Sequence, residues 1–220
     1  MTTNSIIKIT AILCLYIISS CTEQQKKIEE AEQIQELKPV INLLYDSIKL
    51  NSFKYSDLVK FSTDSIEWEK RKGFYTRLDS LEFFQVYQDT SERYLAQSDR
   101  SIDLDFYYSK QKSKRNLIER TFLQQRESEY CDRILYHLYD LNGKLINKFI
   151  VASHCGDGGY YENSEGKFIN DSTYVLLTED NYKTEDTVKQ NTITYTKTTT
   201  IIKRNGEINQ NKELINTKIE

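Results

Sequence analysis

Hydrophobic residues recur at helical spacing in the N-terminal part of the chain. Five aliphatic residues follow one another at alternating intervals of three and four, as on one face of an amphipathic helix. These residues are Ile34, Leu37, Ile41, Leu44 and Ile48. Because proline is favoured in the first turn of a helix, we expect the helix to run from Pro39 to about Leu50. The stripe is too short for a long coiled coil, so we expect it to pack on the protein's own sheet.

Three segments in the middle of the chain are rich in aromatic and aliphatic residues that favour strands. They are residues 81–87, 102–108 and 117–124. The basic residues from Lys110 to Arg115 have no glycine turn or interleaved aromatic residues. We therefore interpret them as a solvated loop or the guard of an edge strand, not as a nucleic-acid site.

The C-terminal third predicts an antiparallel meander over residues 130–215. Segments 133–140 and 144–152 flank Asn142-Gly143, a dipeptide typical of a two-residue type I′ hairpin turn. Segments 172–178 and 192–203 are also strand-like, and Asn205-Gly206 predicts a further turn. The predicted fold class is α+β and strand-dominated, with the N-terminal helix followed by a meander whose sheet is covered on both faces.

Composition is that of one folded domain, which we assign to residues 39–220. The chain is 29% charged and 12% aromatic, with 16 Tyr but only seven Gly and one Pro. It is therefore neither disordered by composition nor divided by a flexible linker. The formal net charge of −3 gives no long-range attraction for nucleic acid, so we expect no nucleic-acid partner.

The N-terminus predicts export and lipid anchoring. Lys8 precedes an apolar run from Ile9 to Ile18, which is shorter than the ~20 residues of a transmembrane helix. The following residues, Ile18-Ser19-Ser20-Cys21, resemble the lipobox of bacterial lipoproteins. The resemblance implies a signal peptide over residues 1–20 and lipidation of Cys21. Residues 21–38 are polar and rich in Glu and Gln, so we interpret them as a polar tether, with a kinked extension of the helix as the alternative. Thr22 in place of Asp favours the outer membrane, where more than one acyl chain anchors the protein stably.

Cys131 and Cys155 remain after processing, and an even number of cysteines in an exported domain predicts a disulfide. With a two-residue Asn142-Gly143 turn, Cys131 would face His154 and not Cys155. A bridge therefore requires a bulge, which we expect between Ser153 and Gly156. The alternative is a pair of free buried thiols.

The run Ser153-His154-Cys155-Gly156 is similar to the Ser-His-Gly-Cys motif of L,D-transpeptidases, which would imply a nucleophilic cysteine. The last two residues are transposed, and the arginine after the motif and the upstream His-Gly are missing. His137 is the only other histidine that could serve as a base. We therefore expect no catalytic residue, and we keep a cell-wall-acting cysteine enzyme as an alternative.

No metal or cofactor is predicted, because the cysteines and histidines lack ligand spacing. Asp157, Glu162 and Glu165 lie in a glycine-containing segment that we interpret as an ordinary loop and not as a calcium site. Tyr160 and Tyr161, beside these glycines, are candidates for binding a protein or glycan partner.

Four tripeptides read Asp, then Ser or Thr, then an aliphatic residue. They resemble the acceptor of a bacterial O-glycosylation system, which implies modification of Ser47, Ser65, Ser80 and Thr187. The alternative is that Asp-Ser pairs simply form turns and helix caps.

The sequence favours a membrane-anchored envelope lipoprotein that acts by binding or assembly and not by catalysis. The membrane is contacted through the N-terminal lipid. A third hypothesis, beside the cysteine enzyme, is an inhibitor or immunity-type lipoprotein, for which an exposed acidic or aromatic patch would be typical.

Overall fold

The computed structural model describes residues 52–53, 55–64, 76–88, 104–126, 129–184 and 190–220. Within these residues the chain forms a ten-stranded sheet and one α-helix, and every strand pairing but one is antiparallel. The predicted strand-dominated antiparallel architecture is thus confirmed. The predicted N-terminal helix, signal peptide and tether lie outside the described residues.

The elements follow one another in chain order as ten strands and one helix. They are β1 (Tyr55–Ser56), β2 (Lys60–Phe61), α1 (Ser80–Tyr87), β3 (Leu104–Gln111), β4 (Ile118–Arg126), β5 (Cys131–Tyr139), β6 (Leu145–Asp157), β7 (Tyr160–Asn170), β8 (Thr173–Thr184), β9 (Gln190–Ile202) and β10 (Ile208–Ile219).

Strands β3 to β10 form a meander in which each strand pairs with the next. The two shortest strands lie at different places in this sheet, since β1 pairs in parallel with β3 and β2 pairs antiparallel with β7. Residues 55–61, which we term the crossover segment, therefore link β3 to β7. Hydrogen bonds from Asp57 N to Lys110 O at 3.0 Å and from Phe168 N to Val59 O at 2.9 Å join the segment to these two strands.

Phe61, at the end of the crossover segment, lies in the main hydrophobic core. Its ring centroid is 6.1–6.4 Å from those of Tyr108, Tyr136 and Tyr174, which come from three different strands. The core also contains aliphatic side chains of β4, β5, β6, β8 and β9, among them Leu123, Ile134, Val151, Leu176 and Ile202. The crossover segment is thus held by its buried phenylalanine as well as by strand pairing.

A second cluster lies under helix α1. Neighbours in a strand point to opposite faces. Leu123 and Tyr136 therefore point into the main core, whereas Phe122 and His137 point to the other face of the sheet. His137 is fully buried against the rings of Phe122 and Tyr87, at centroid distances of 4.8 and 5.2 Å. Burial, followed by the nearby Lys148, lowers the pKa of His137 to about 3. The imidazole is therefore neutral at physiological pH.

Helix α1 is a correction, because its sequence favoured a strand over residues 81–87. Asp79 caps the helix by accepting a hydrogen bond from Glu82 N at 2.8 Å, and Glu82 returns one from Asp79 N at 2.9 Å. This capping box begins the helix, and the spacing of Phe83, Val86 and Tyr87 places all three on its buried side. Capping and tertiary packing therefore override the strand propensity of the aromatic residues.

The β5–β6 turn also differs from the prediction. Gly143 has a φ of 79°, whereas Asn142 is not among the residues with positive φ, so the turn is not type I′. Asp140 N donates to Lys144 O, and Gly143 N donates to Asp140 O. This is a longer loop that ends on a glycine in the left-handed region.

The glycine-containing segment after β6 is a tight hairpin and not a long loop. Gly158 and Gly159 have φ values of 54° and 103° and form the turn, and β7 begins at Tyr160. The prediction of a loop was wrong because polar residues such as Glu162 and Asn163 mask the strand pattern of β7.

The last strand of the meander, β10, is exposed along nearly its whole length.

Candidate functional site

Tyr160 and Tyr161, which the sequence indicated as binding residues, occupy the first two positions of β7 beside the Gly158-Gly159 turn. Tyr160 pairs with Tyr182 of β8, and Tyr161 pairs with Asn181. The side chain of Tyr160 is 39% exposed and that of Tyr182 is 57% exposed. Two tyrosines from neighbouring strands thus stand side by side at an open end of the sheet.

Two carboxylates accompany this tyrosine pair. The hydroxyl of Tyr160 lies 3.0 Å from Glu162 Oε2 and 3.3 Å from Asp180 Oδ1. Glu162 and Asp180 face each other across β7 and β8. We term these four residues, Tyr160, Glu162, Asp180 and Tyr182, the tyrosine–carboxylate patch.

The two carboxylates of the patch have hydroxyl partners. Burial, followed by Glu162 and Asp180, raises the pKa of Tyr160, so its hydroxyl remains protonated. Glu162 also accepts a hydrogen bond from Ser153. Within the described part of the chain, no lysine or arginine forms an ion pair with Glu162 or Asp180.

Tyr161 is 37% exposed and lies with His154, whose ring centroid is 5.3 Å away in an edge-to-face arrangement. Burial, followed by Glu179 and Asp64, raises the pKa of Tyr161. Both tyrosines predicted from the sequence therefore have acidic surroundings, although adjacent strand positions place them on opposite faces.

The predicted disulfide between Cys131 and Cys155 is present. Cys155 pairs with Glu162 of β7, so the bridge links β5 to β6 directly beside the patch. In this state Cys155 carries no free thiol, which a cysteine nucleophile requires. His137 is not beside it, because that residue pairs with Lys148 near the other end of the hairpin.

Other predicted modification sites are only partly covered by the structure. Ser80 is exposed and is the first residue of α1, directly after the capping Asp79. The Asp-Ser pair at this position serves the helix cap, which was the alternative interpretation. Ser47, Ser65, Thr187 and the predicted lipidation residue Cys21 lie outside the described residues.

A buried ion pair was missed by sequence reasoning. Arg115 was interpreted as part of a solvated basic segment, but its side chain is 7% exposed and that of Glu119 is fully buried. Arg115 Nε and Nη2 donate to the two oxygens of Glu119 at 2.9 and 2.8 Å. Ser113 Oγ and Tyr136 OH donate to the same carboxylate. Only the tertiary fold reveals this network, since Tyr136 comes from another strand.

Arg115 and Tyr136 of this network line a cleft of about 410 Å³. The cleft is formed by the crossover segment, the β3–β4 connection and the β7–β8 turn. Its lining residues include Leu58, Val59, Ser113, Phe168, Ile169 and Asn170. It lies at the opposite end of β7 from the tyrosine–carboxylate patch. We term it the crossover cleft.

The described residues contain no group of three or more histidine, cysteine, aspartate or glutamate side chains arranged to hold a metal ion. They also contain no helix long and apolar enough to cross a membrane. The chain matches no family model, and no curated protein or solved structure is significantly similar to it.

Proposed function

We propose that this protein is a lipid-anchored, non-enzymatic binding protein of the cell envelope. The lipobox-like run that ends at Cys21 supports the anchor. Thr22 follows it in place of Asp, which favours the outer membrane. In this proposal the polar tether and the predicted amphipathic helix join the lipid to the sheet. The observation that supports binding is the tyrosine–carboxylate patch at the exposed end of β7 and β8.

The chemistry of the patch favours a partner protein that presents lysine or arginine side chains. Tyrosine supplies apolar contact area together with a hydroxyl, and it is enriched in interfaces. Aromatic rings also attract cations over their faces, and nearby carboxylates strengthen that attraction. Glu162 and Asp180 have no cationic partner among the described residues, so a basic side chain of the partner could form ion pairs with them.

An inhibitor of a secreted enzyme or toxin is a second candidate. The same observation favours it, because an acidic and aromatic surface fits a basic active site or nucleic-acid groove on another protein. The two functions differ in what the partner loses. An inhibitor abolishes the partner's activity on binding, whereas an assembly component leaves it unchanged.

Titration of the lipid-free mature protein with a lysine-rich peptide, followed by NMR of the tyrosine rings, tests the proposal. We expect saturable shifts at Tyr160 and Tyr182, and we expect the affinity to fall as salt rises. The Glu162→Gln/Asp180→Asn variant should bind at least tenfold more weakly. Leu141→Ser, in the turn at the other end of the β5–β6 hairpin, is the matched exposed control and should bind like the wild type.

Two results would contradict a basic protein partner. The first is binding of the peptide that is unchanged in the double variant, which would place the contact elsewhere. The second is saturable binding of an uncharged oligosaccharide, such as an N-acetylglucosamine oligomer, at Tyr160 and Tyr182 without any binding of the peptide. That result would identify the patch as a glycan site.

A further inference from the structure

We propose that the crossover cleft is a second binding site, which takes a small uncharged ligand with an aliphatic body and one amide or hydroxyl end. Its volume of about 410 Å³ lies within the ~300–1,000 Å³ range of small-molecule sites. The cleft is separate from the tyrosine–carboxylate patch, so this inference is independent of the proposed function.

The walls of the cleft are held in place before any ligand arrives. Phe168 N donates to Val59 O at 2.9 Å, which joins the crossover segment to β7. Lys112 N donates to Asp57 Oδ1 at 3.1 Å, which joins the same segment to the β3–β4 connection. Arg115 Nη1 donates to the carbonyl of Asp171 and so joins this connection to the β7–β8 turn. A preformed site of this kind costs little ordering entropy on binding.

The charged groups at and next to the cleft each lie close to a group of opposite charge. Glu119 accepts hydrogen bonds from the lining residues Ser113 and Tyr136 and from two nitrogens of Arg115, which fill the acceptor positions of a carboxylate. Lys112 lies 4.0 Å from Asp57, and Lys114, outside the lining, lies 3.5 Å from Asp171. A charged ligand would lose hydration without gaining an unpaired counter-ion, so these contacts favour a neutral one.

Apolar side chains provide the contact surface. Val59 from the crossover segment is 60% exposed, and Ile169 from β7 is 57% exposed. Both line the cleft, together with the half-buried Leu58 and Phe168. Exposed aliphatic side chains that line one cleft lose contact with water when an aliphatic chain lies against them.

Polar atoms at the cleft allow one hydrogen-bonding end. The amide side chains of Gln111 and Asn170 line the cleft. Gln111 Nε2 donates to Ser109 Oγ, and Asn170 Oδ1 accepts from Ser172, so the atoms left for a ligand are Gln111 Oε1 and Asn170 Nδ2. Because an amide both donates and accepts hydrogen bonds, it pairs well with a neutral amide or hydroxyl. The ligand class that follows is a neutral amphiphile.

Three probes of matched length test this assignment on the lipid-free mature protein: hexanamide, hexanoate and hexylammonium. Methyl NMR of Val59 and Ile169 reports binding directly. We expect saturable shifts at both residues with hexanamide, and at least fivefold weaker binding of either charged probe. Val59→Ser and Ile169→Ser should each weaken hexanamide binding at least threefold, whereas Leu141→Ser should not change it.

Both test residues are exposed, so their serine variants should keep the wild-type fold, which a thermal melt verifies. If one variant fails to fold, the other carries the test. The proposal is overturned if hexanamide gives no saturable shift at Val59 or Ile169 up to its solubility limit. It is equally overturned if the charged probes bind as well as hexanamide, or if the serine variants bind it unchanged.

Discussion

Cys131 and Cys155 stand directly opposite each other on β5 and β6 and are joined by a disulfide. The two residues come into register through two extra residues in β6, Ile146 and Val151. Leu135 pairs with Ile150 and Ile134 pairs with Ala152, which leaves Val151 as the bulge nearer the cysteines. Val151 is completely buried in the main core, so packing fixes the bulge and thereby the alignment of the cysteines.

We expect the disulfide to contribute substantially to stability. It closes a loop between residues 24 apart, for which the chain-entropy model assigns about 3 kcal/mol. Cys131→Ser and Cys155→Ser should each lower the melting temperature by roughly 10 °C, and the double variant should be no worse than either single one. Thermal melts with and without a reducing agent measure the effect, and reduction should bring the wild type to the level of the variants.

Counting thiols gives the direct control for this prediction. Under denaturing, non-reducing conditions neither Cys131 nor Cys155 should react with a thiol reagent, as peptide mapping of the labelled protein shows. Labelling of both Cys131 and Cys155 would contradict the bridge.

The need for a bulge could be predicted from the sequence, but its position could not. The distance from Asn142-Gly143 to each cysteine shows that the strands must shift by one residue. We expected the shift between Ser153 and Gly156, where glycine permits irregular backbone, but the structure has it at Val151. A second shift, at Ile146, follows from the longer turn. Core packing decides where a bulge lies, and packing is not visible in local sequence.

The candidate site could also be predicted only in part, because pairing between strands is not visible in local sequence. Tyr160 and Tyr161 stood out beside a glycine pair, and the structure places both at the start of β7. The partners of Tyr160, Asp180 and Tyr182, lie about 20 residues away and meet it only through the β7–β8 register. Glu162 was assigned to a loop, because a strand of alternating polar residues on an exposed sheet has no hydrophobic pattern to indicate it.

The buried Glu119–Arg115 pair should be essential for stability. In Glu119→Gln, the guanidinium of Arg115 loses its counter-ion while remaining buried, which costs about 3 kcal/mol. Chemical denaturation at neutral pH measures this loss. The matched control is Glu213→Gln, which breaks the exposed Lys197–Glu213 pair and should cost less than about 1 kcal/mol. Equal losses in the two variants would contradict a structural role for the buried pair.

Lipid anchoring remains a prediction from Ile18-Ser19-Ser20-Cys21. Cys21→Ser removes the thiol that carries the lipid, so we expect an unlipidated precursor whose signal peptide is uncut. Metabolic labelling with a palmitate analogue and an intact-mass measurement distinguish the two forms. Normal cleavage after residue 20 together with retention at the membrane would show that the protein is attached by something other than a lipid on Cys21.

His137 should make the fold sensitive to mild acid. Its pKa is lowered to about 3 by burial and then by Lys148, whereas an unfolded histidine has a pKa of about 6.5. Between pH 6.5 and pH 3, His137 is therefore protonated in the unfolded chain but neutral in the folded chain. The stability that comes from neutral His137 is complete above pH 6.5 and falls as the pH drops towards 3. The imidazole has the following groups around it. Arg120 and Lys148 flank it on the neighbouring strands, and its Nδ1 lies 2.9 Å from the hydroxyl of Tyr139.

The comparison of wild type with His137→Phe isolates this effect. Between pH 7 and pH 5 the wild type should lose about 1–2 kcal/mol more unfolding free energy than the variant, because phenylalanine has no proton to bind. Urea denaturation at pH 7, 6 and 5 measures the difference, and most carboxylates stay ionised over that range. His154→Phe is the matched control, because it replaces an exposed histidine and keeps His137. Parallel pH profiles for the wild type and His137→Phe would mean that the imidazole is not buried in its neutral form.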